Sequence, residues 1–178
     1  MGGGITAWEG LVAGGPPEAG MAYFPSNEKT ETLIALAWAL EEGSRRFYSG
    51  LAGSMTDPEG KALFTELTAA EERHKSSLLA LYQGSGGSGT IESLLPGGAA
   101  GDVMEGGVLV SEALDWTAGR DVADILDLSI ALESNAYDLY IKMERTRKDD
   151  HAKRAFSALA EEEKRHLARM TSLIERKA

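Results

Sequence analysis

Apolar side chains recur at intervals of three and four residues in four separate segments of the chain, the spacing of one buried helix face. The segments span about residues 27–52, 57–82, 121–147 and 150–177. The pattern therefore predicts an all-α protein with four long helices. Only a few residues separate the first helix from the second and the third from the fourth, so we expect two antiparallel hairpins. The nearly 40 residues between the hairpins are enough for a crossover along the bundle.

Helix starts are marked by residues suited to cap a helix N-terminus. Asp57 precedes Pro58, and Asp121 is followed three residues later by Asp124. Asp149 and Asp150 are expected to cap the fourth helix in the same way.

Glycine and proline mark the irregular parts of the chain. Residues 1–25 contain seven of the 21 glycines and three of the five prolines, which predicts an irregular tail before a bundle domain at 26–178. The sequence GSGGSG after the second helix is typical of flexible connections, natural or engineered. Residues 111–116, SEALDW, predict one short helical turn within the crossover.

The inner stripe of every helix carries acidic residues where apolar ones are expected. The second helix places Glu71 and His74 on its stripe, and the fourth places Glu163 and His166. Their apolar neighbours on the same stripes are Phe64, Leu67, Leu78 and Leu81 in the second helix, and Phe156, Leu159, Met170 and Leu173 in the fourth. The first and third helices add Glu41 with Tyr48 and Glu133 with Tyr140. By contrast, Glu42, Glu72, Glu161 and Glu162 fall off these stripes and are expected to be solvated.

Spacing indicates that the six stripe residues meet. Glu41 and Glu71 are 30 residues apart, as are Glu133 and Glu163, and a turn lies midway in each case. Both carboxylates of a hairpin therefore lie about 22 Å from its turn. A constant offset of 92 residues relates the two hairpins, Glu to Glu, Tyr to Tyr and His to His. The chain thus contains a repeated hairpin that builds a site with approximate two-fold symmetry.

Four buried carboxylates require compensating positive charge, because each would otherwise cost several kcal/mol. No Lys or Arg lies on these stripes, so we predict two bound metal ions. Carboxylate and imidazole ligands suit iron, manganese and zinc alike. The net charge of −10 argues against nucleic-acid and anionic-membrane partners.

These motifs resemble the rubrerythrin-like branch of the ferritin-like superfamily over about residues 27–178. The matching stretches are ALEEGSRRFY with LTAAEERH, and ALESNAYDLY with LAEEEKRH. The resemblance implies a ferritin-like four-helix bundle of two hairpins joined by a long crossover, holding two iron ions. It makes Glu41 and Glu133 terminal ligands, Glu71 and Glu163 bridging ligands, and His74 and His166 the nitrogen ligands. Tyr48 and Tyr140 match aromatic residues that line the site in the family.

The chain departs from the rubrerythrin pattern in two places. The family has a further carboxylate three residues after the third-helix Glu, where this chain has Ala136. It also has a Cys-bound iron in a C-terminal rubredoxin domain, whereas this sequence contains no cysteine. Electrons are therefore expected from an external donor protein.

The first residues have a resemblance of their own. The stretch GGITAWEGLVAGGPPEAGM looks like the end of a rhodanese-like sulfurtransferase domain, which implies that the chain is the ferritin-like part of a longer fusion. There is no export signal pattern and no apolar run of the roughly 20 residues that a membrane helix needs. We expect a cytoplasmic homodimer with no membrane partner.

Three functions fit these features. The first is an oxidoreductase that reduces hydrogen peroxide or dioxygen at a di-iron site. The second is a ferroxidase or other iron-handling protein, and the third is a non-enzymatic module in which metal holds the bundle together.

Overall fold

The computed structural model describes residues 29–95 and 102–177. The four long helices are α1 (Thr30–Ser54), α2 (Pro58–Gly84), α4 (Val122–Thr146) and α5 (Asp150–Lys177), with a short α3 (Val110–Thr117) before α4. The all-α prediction is confirmed, and the helix bounds differ from the predicted ones by three residues or fewer. The tail at 1–25 and its rhodanese-like stretch lie outside the described residues. None of the helices within the described ranges is long and apolar enough to cross a membrane.

The predicted caps are present at the helix starts. The Asp57 side chain accepts a hydrogen bond from the backbone N–H of Gly60 (2.8 Å), and Asp121 accepts one from that of Asp124 (2.9 Å). Asp149 accepts from the backbone N–H groups of His151 and Ala152 in the first turn of α5. Asp150, also predicted as a cap, is instead the first residue of this helix. Each cap accepts hydrogen bonds from backbone N–H groups that have no partner within the first helical turn. The caps therefore fix the residue at which each of these helices begins.

The helices pair as two hairpins, α1 with α2 and α4 with α5, and α2 also packs on α5. The buried apolar residues form two clusters, one toward each end of the bundle. Tyr140 stacks on Phe156 in one cluster (ring centroids 6.2 Å apart), and Tyr48 stacks on Phe64 in the other (5.9 Å). These pairs are related by the 92-residue offset, so the repeat seen in the sequence is also a repeat of packing.

The crossover has more structure than the sequence predicts. It contains short 3-10 turns at Ile91–Leu94 and Glu105–Gly107, and the predicted helical turn is the two-turn helix α3. The second 3-10 turn packs on α1 and α4. Gly43 of α1 allows the close approach, because a Cβ there would lie 2.3 Å from the carbonyl oxygen of Val103.

Gly43→Ala should therefore destabilise the protein by about 1–3 kcal/mol, the usual cost of inserting atoms into a packed interior. Gly53→Ala, in the same helix, is the matched control, since a Cβ there meets nothing within 4 Å. That control should stabilise the fold by about 0.5–1 kcal/mol. Denaturant unfolding of both variants measures the difference. Equal stabilisation of both variants would show that the crossover does not pack closely against α1 at Gly43.

Candidate metal centre

The six predicted ligands lie in one layer inside the bundle, between the two apolar clusters. Each of the six is at most 6 % exposed. They come from all four long helices: Glu41 from α1, Glu71 and His74 from α2, Glu133 from α4, and Glu163 and His166 from α5. The helical period and the equal hairpin arms bring them together, as the spacing predicted.

The six residues form two groups that share two members. One group is Glu41, Glu71, His74 and Glu163, and the other is Glu71, Glu133, Glu163 and His166. In each group one ligand-type atom from every residue lies within 4.8 Å of all the others. The shared members are Glu71 and Glu163. Two carboxylates common to both groups are what a pair of adjacent metal ions with bridging carboxylates requires.

Both imidazoles turn the same nitrogen toward the carboxylates. Nδ1 of His74 lies 3.2, 3.0 and 3.1 Å from oxygens of Glu41, Glu71 and Glu163. Nδ1 of His166 lies 3.2 Å from oxygens of both Glu133 and Glu163. The rings stack with centroids 5.4 Å apart and planes 20° apart. Each nitrogen is thus placed to ligate one metal ion of a pair.

Electrostatics divides the carboxylates into two kinds. Burial, followed by the charges of Glu41 and Glu133 respectively, raises the pKa of Glu71 and of Glu163 well above the usual value. Burial also acts on Glu133, but hydrogen bonds from Glu163, His166 and Tyr48 outweigh it and lower its pKa to about 2. The pKa of Glu41 is likewise lowered, because the charge of His74 and its hydrogen bonds outweigh burial. Without metal, the outer carboxylates are therefore ionised and the shared ones hold protons.

The imidazoles complete this proton arrangement. Burial works against their charged form, yet Glu41 and the neighbouring carboxylates raise the pKa of His74, and Glu133 raises that of His166. In the absence of metal, protons supply the positive charge that the layer needs.

The two tyrosines bind the outer carboxylates crosswise. Tyr48 of the first hairpin donates to Glu133 of the second, and Tyr140 of the second donates to Glu41 of the first. Both hydroxyls are buried, and burial together with these carboxylates raises the pKa of each tyrosine well above its usual value. They stay neutral donors and tie the hairpins together at the site.

Glu162 was predicted to be solvated, and that prediction is wrong. Its Oε2 lies 3.1 Å from Nε2 of His74, with the side chain about one third exposed. The 92-residue offset pairs Glu162 of α5 with Ala70 of α2, so the second imidazole has no matching carboxylate from α2. Glu42 is also less solvated than predicted: Arg45 and Lys75 bind it, and these contacts lower its pKa to about 2.

The sequence analysis missed a fifth buried carboxylate altogether. Glu105, in the crossover, is 3 % exposed and lines the same small cavity as Glu41, Glu71, Glu133 and Glu163. Burial, followed by the charge of Glu41, raises its pKa to about 8. In the sequence, the burial of Glu105 is indicated only by its apolar neighbours: Met104 precedes it, and Val108 follows after two glycines.

The donor set fits a pair of divalent metal ions. Four carboxylates balance two divalent cations when both imidazoles are neutral. Hard oxygen donors with one nitrogen per ion suit iron, manganese and zinc.

The chain is similar to a protein-family model and to a solved structure. A family model described as Rubrerythrin matches residues 121–177, which make up the second hairpin. A solved structure of a hypothetical protein from Pyrococcus furiosus is 25 % identical, with a TM-score of 0.66, and covers 87 % of this chain and 91 % of that chain. No curated protein compared with the chain matches it. The second hairpin is therefore similar to rubrerythrins, and the bundle over most of the chain is similar to that solved structure.

Proposed function

We propose that the protein is an oxidoreductase that holds two iron ions and reduces hydrogen peroxide or dioxygen with electrons from an external donor protein. The observation that carries the proposal is the pair of four-residue ligand groups that share Glu71 and Glu163. A single structural metal ion would need only one such group. Two groups with common carboxylates instead favour two ions close enough to act on one substrate.

Each residue of the layer has a defined task. Glu41 with His74 would hold one ion, Glu133 with His166 the other, and Glu71 and Glu163 both. Tyr48 and Tyr140 orient the outer carboxylates through their hydroxyls. The two apolar clusters exclude bulk water from both ends of the layer.

Reduction of one hydrogen peroxide to two waters consumes two electrons and two protons. Iron, when bound, supplies this redox chemistry as a pair of one-electron centres. The sequence has no cysteine and so no thiolate-bound redox centre, which is why the proposal includes an external donor. Protons would come from solvent.

The first test is the metal content of protein produced in iron-supplemented medium, followed by anaerobic addition of peroxide to the reduced form. We expect about two irons per chain and rapid oxidation, seen as growth of near-ultraviolet absorbance. Glu71→Gln should lower iron affinity by about 100-fold or more, because it changes a carboxylate common to both groups. Its neighbour Glu72→Gln is the control and should behave as the unmodified chain. Iron-loaded protein that peroxide does not oxidise would contradict the proposal and favour iron handling or a structural role.

Metal-free protein should become less stable as the pH rises from about 7 to 9. The raised pKa values of Glu71, Glu163, His74 and His166 mean that the folded chain keeps protons that the unfolded chain has lost, so stability falls with pH. Metal replaces these protons, so the stabilisation by metal should grow over the same range. Thermal melting with and without chelator measures both trends. A metal-induced shift that shrinks as the pH rises would contradict the proton arrangement.

Glu162→Gln should weaken one metal site more than the other, because Glu162 contacts His74 and its counterpart is Ala70. The expected loss is about 10-fold in the affinity of that site, typical of removing a partner of a metal-bound imidazole. Glu161→Gln, an exposed neighbour on α5, is the matched control. Calorimetric titration resolves the two sites, and equal weakening of both would show that Glu162 does not act through His74.

A further inference from the structure

The crossover segment 102–110, here called the Glu105 loop, is a tightly closed turn. It is closed by backbone hydrogen bonds from Met104 N–H to Val108 O (2.9 Å) and from Val110 N–H to Asp102 O (3.0 Å). Gly106 has a φ of +77°, and a Cβ there would lie 2.7 Å from Nδ2 of Asn135 on α4. The other side of the loop enters the space left by Gly43 on α1. The loop is thus held between the two hairpins with a fixed position.

This position points Glu105 into the carboxylate layer. Its side chain lines the cavity together with Ser44 and Ala136. These two residues are related by the 92-residue offset and come three residues after Glu41 and Glu133. Because both are small, they leave room in the lining of the cavity, which Glu105 shares with them.

The carboxylate of Glu105 is only partly satisfied. Oε2 accepts a hydrogen bond from the Ser44 hydroxyl, while Oε1, which is buried, has no hydrogen-bond partner among the described residues. The neighbouring charges that act on it most are Glu41 and Glu133, both anionic. A buried carboxylate oxygen with no donor is costly unless a cation completes its surroundings.

We infer that Glu105 is a seventh ligand of the metal centre, supplied by the crossover, with Oε1 as its donor atom to a divalent metal ion. The inference rests on the proposed function, since it needs the two ions held by the helical residues. It differs from the other six ligands in its origin: they are fixed by the helices, whereas Glu105 is fixed by the loop that joins the hairpins. The ion pair would thereby link the crossover to both halves of the bundle.

Cobalt(II) titration of the full chain tests this without any redox reaction. Glu105→Gln keeps the shape and an acceptor for Ser44 but removes the anionic donor. We expect its affinity for at least one cobalt ion to fall by about tenfold or more. Glu112→Gln, an exposed site in the same crossover, changes the net charge equally and should stay within about twofold of the unmodified chain.

The outcomes separate the two proposals. If the unmodified chain fails to bind two cobalt ions, the metal centre itself is wrong. If it binds two and Glu105→Gln binds them as tightly as Glu112→Gln, Glu105 is a structural anchor and the inference is overturned. Melting temperatures verify folding; should Glu105→Gln not fold, Glu105→Asp, which keeps the charge but withdraws the oxygen by one methylene, is judged by the same affinity criterion.

Discussion

Mutual repulsion among the buried carboxylates Glu41, Glu71, Glu133 and Glu163 is the constraint on which the rest of the structure depends. A domain is stable by only about 5–15 kcal/mol, and one uncompensated buried ion costs several kcal/mol. The layer therefore folds only with positive charge inside it. In the metal-free chain protons on the imidazoles and the shared carboxylates provide that charge, and these are the same groups from which divalent ions would displace protons.

The repeated hairpin gives this layer its rigidity. Each tyrosine belongs to one hairpin and donates to the outer carboxylate of the other, so the hairpins cannot shift relative to one another without breaking both contacts. Stacking on Phe64 and Phe156 fixes the tyrosine rings in turn. Apolar packing above and below the layer thereby positions polar atoms within it. The positions of the candidate ligands are set by the core rather than by exposed loops, an arrangement that preorganises a site.

The helices and the six converging residues could be predicted from the sequence because both depend on local periodicity. Glu71 and His74 share a helix face whatever surrounds them, and equal hairpin arms bring Glu163 to the same level. The contact of Glu162 with His74 could not be predicted, because adjacent residues of a helix point in directions about 100° apart. A small error in the predicted orientation of α5 therefore exchanges a solvated side chain for one that contacts His74. The burial of Glu105 could not be predicted, because the crossover has no regular spacing of apolar residues. Its burial depends on the close approach of the crossover to α1 at Gly43.

The differences between the two hairpins are as informative as their likeness. The repeat is kept at the six stripe residues and both tyrosines. At two other equivalent positions the residues differ: Ala70 corresponds to Glu162, and Ser44 corresponds to Ala136. Both differences lie within one helical turn of a stripe residue. A polar group added or removed there would change the surroundings of the candidate metal site without disturbing the helix. Ser44 also provides the hydroxyl that holds Glu105, a contact that Ala136 cannot make. Duplication therefore accounts for the frame of the site, while its chemical individuality lies in the few positions where the two copies differ.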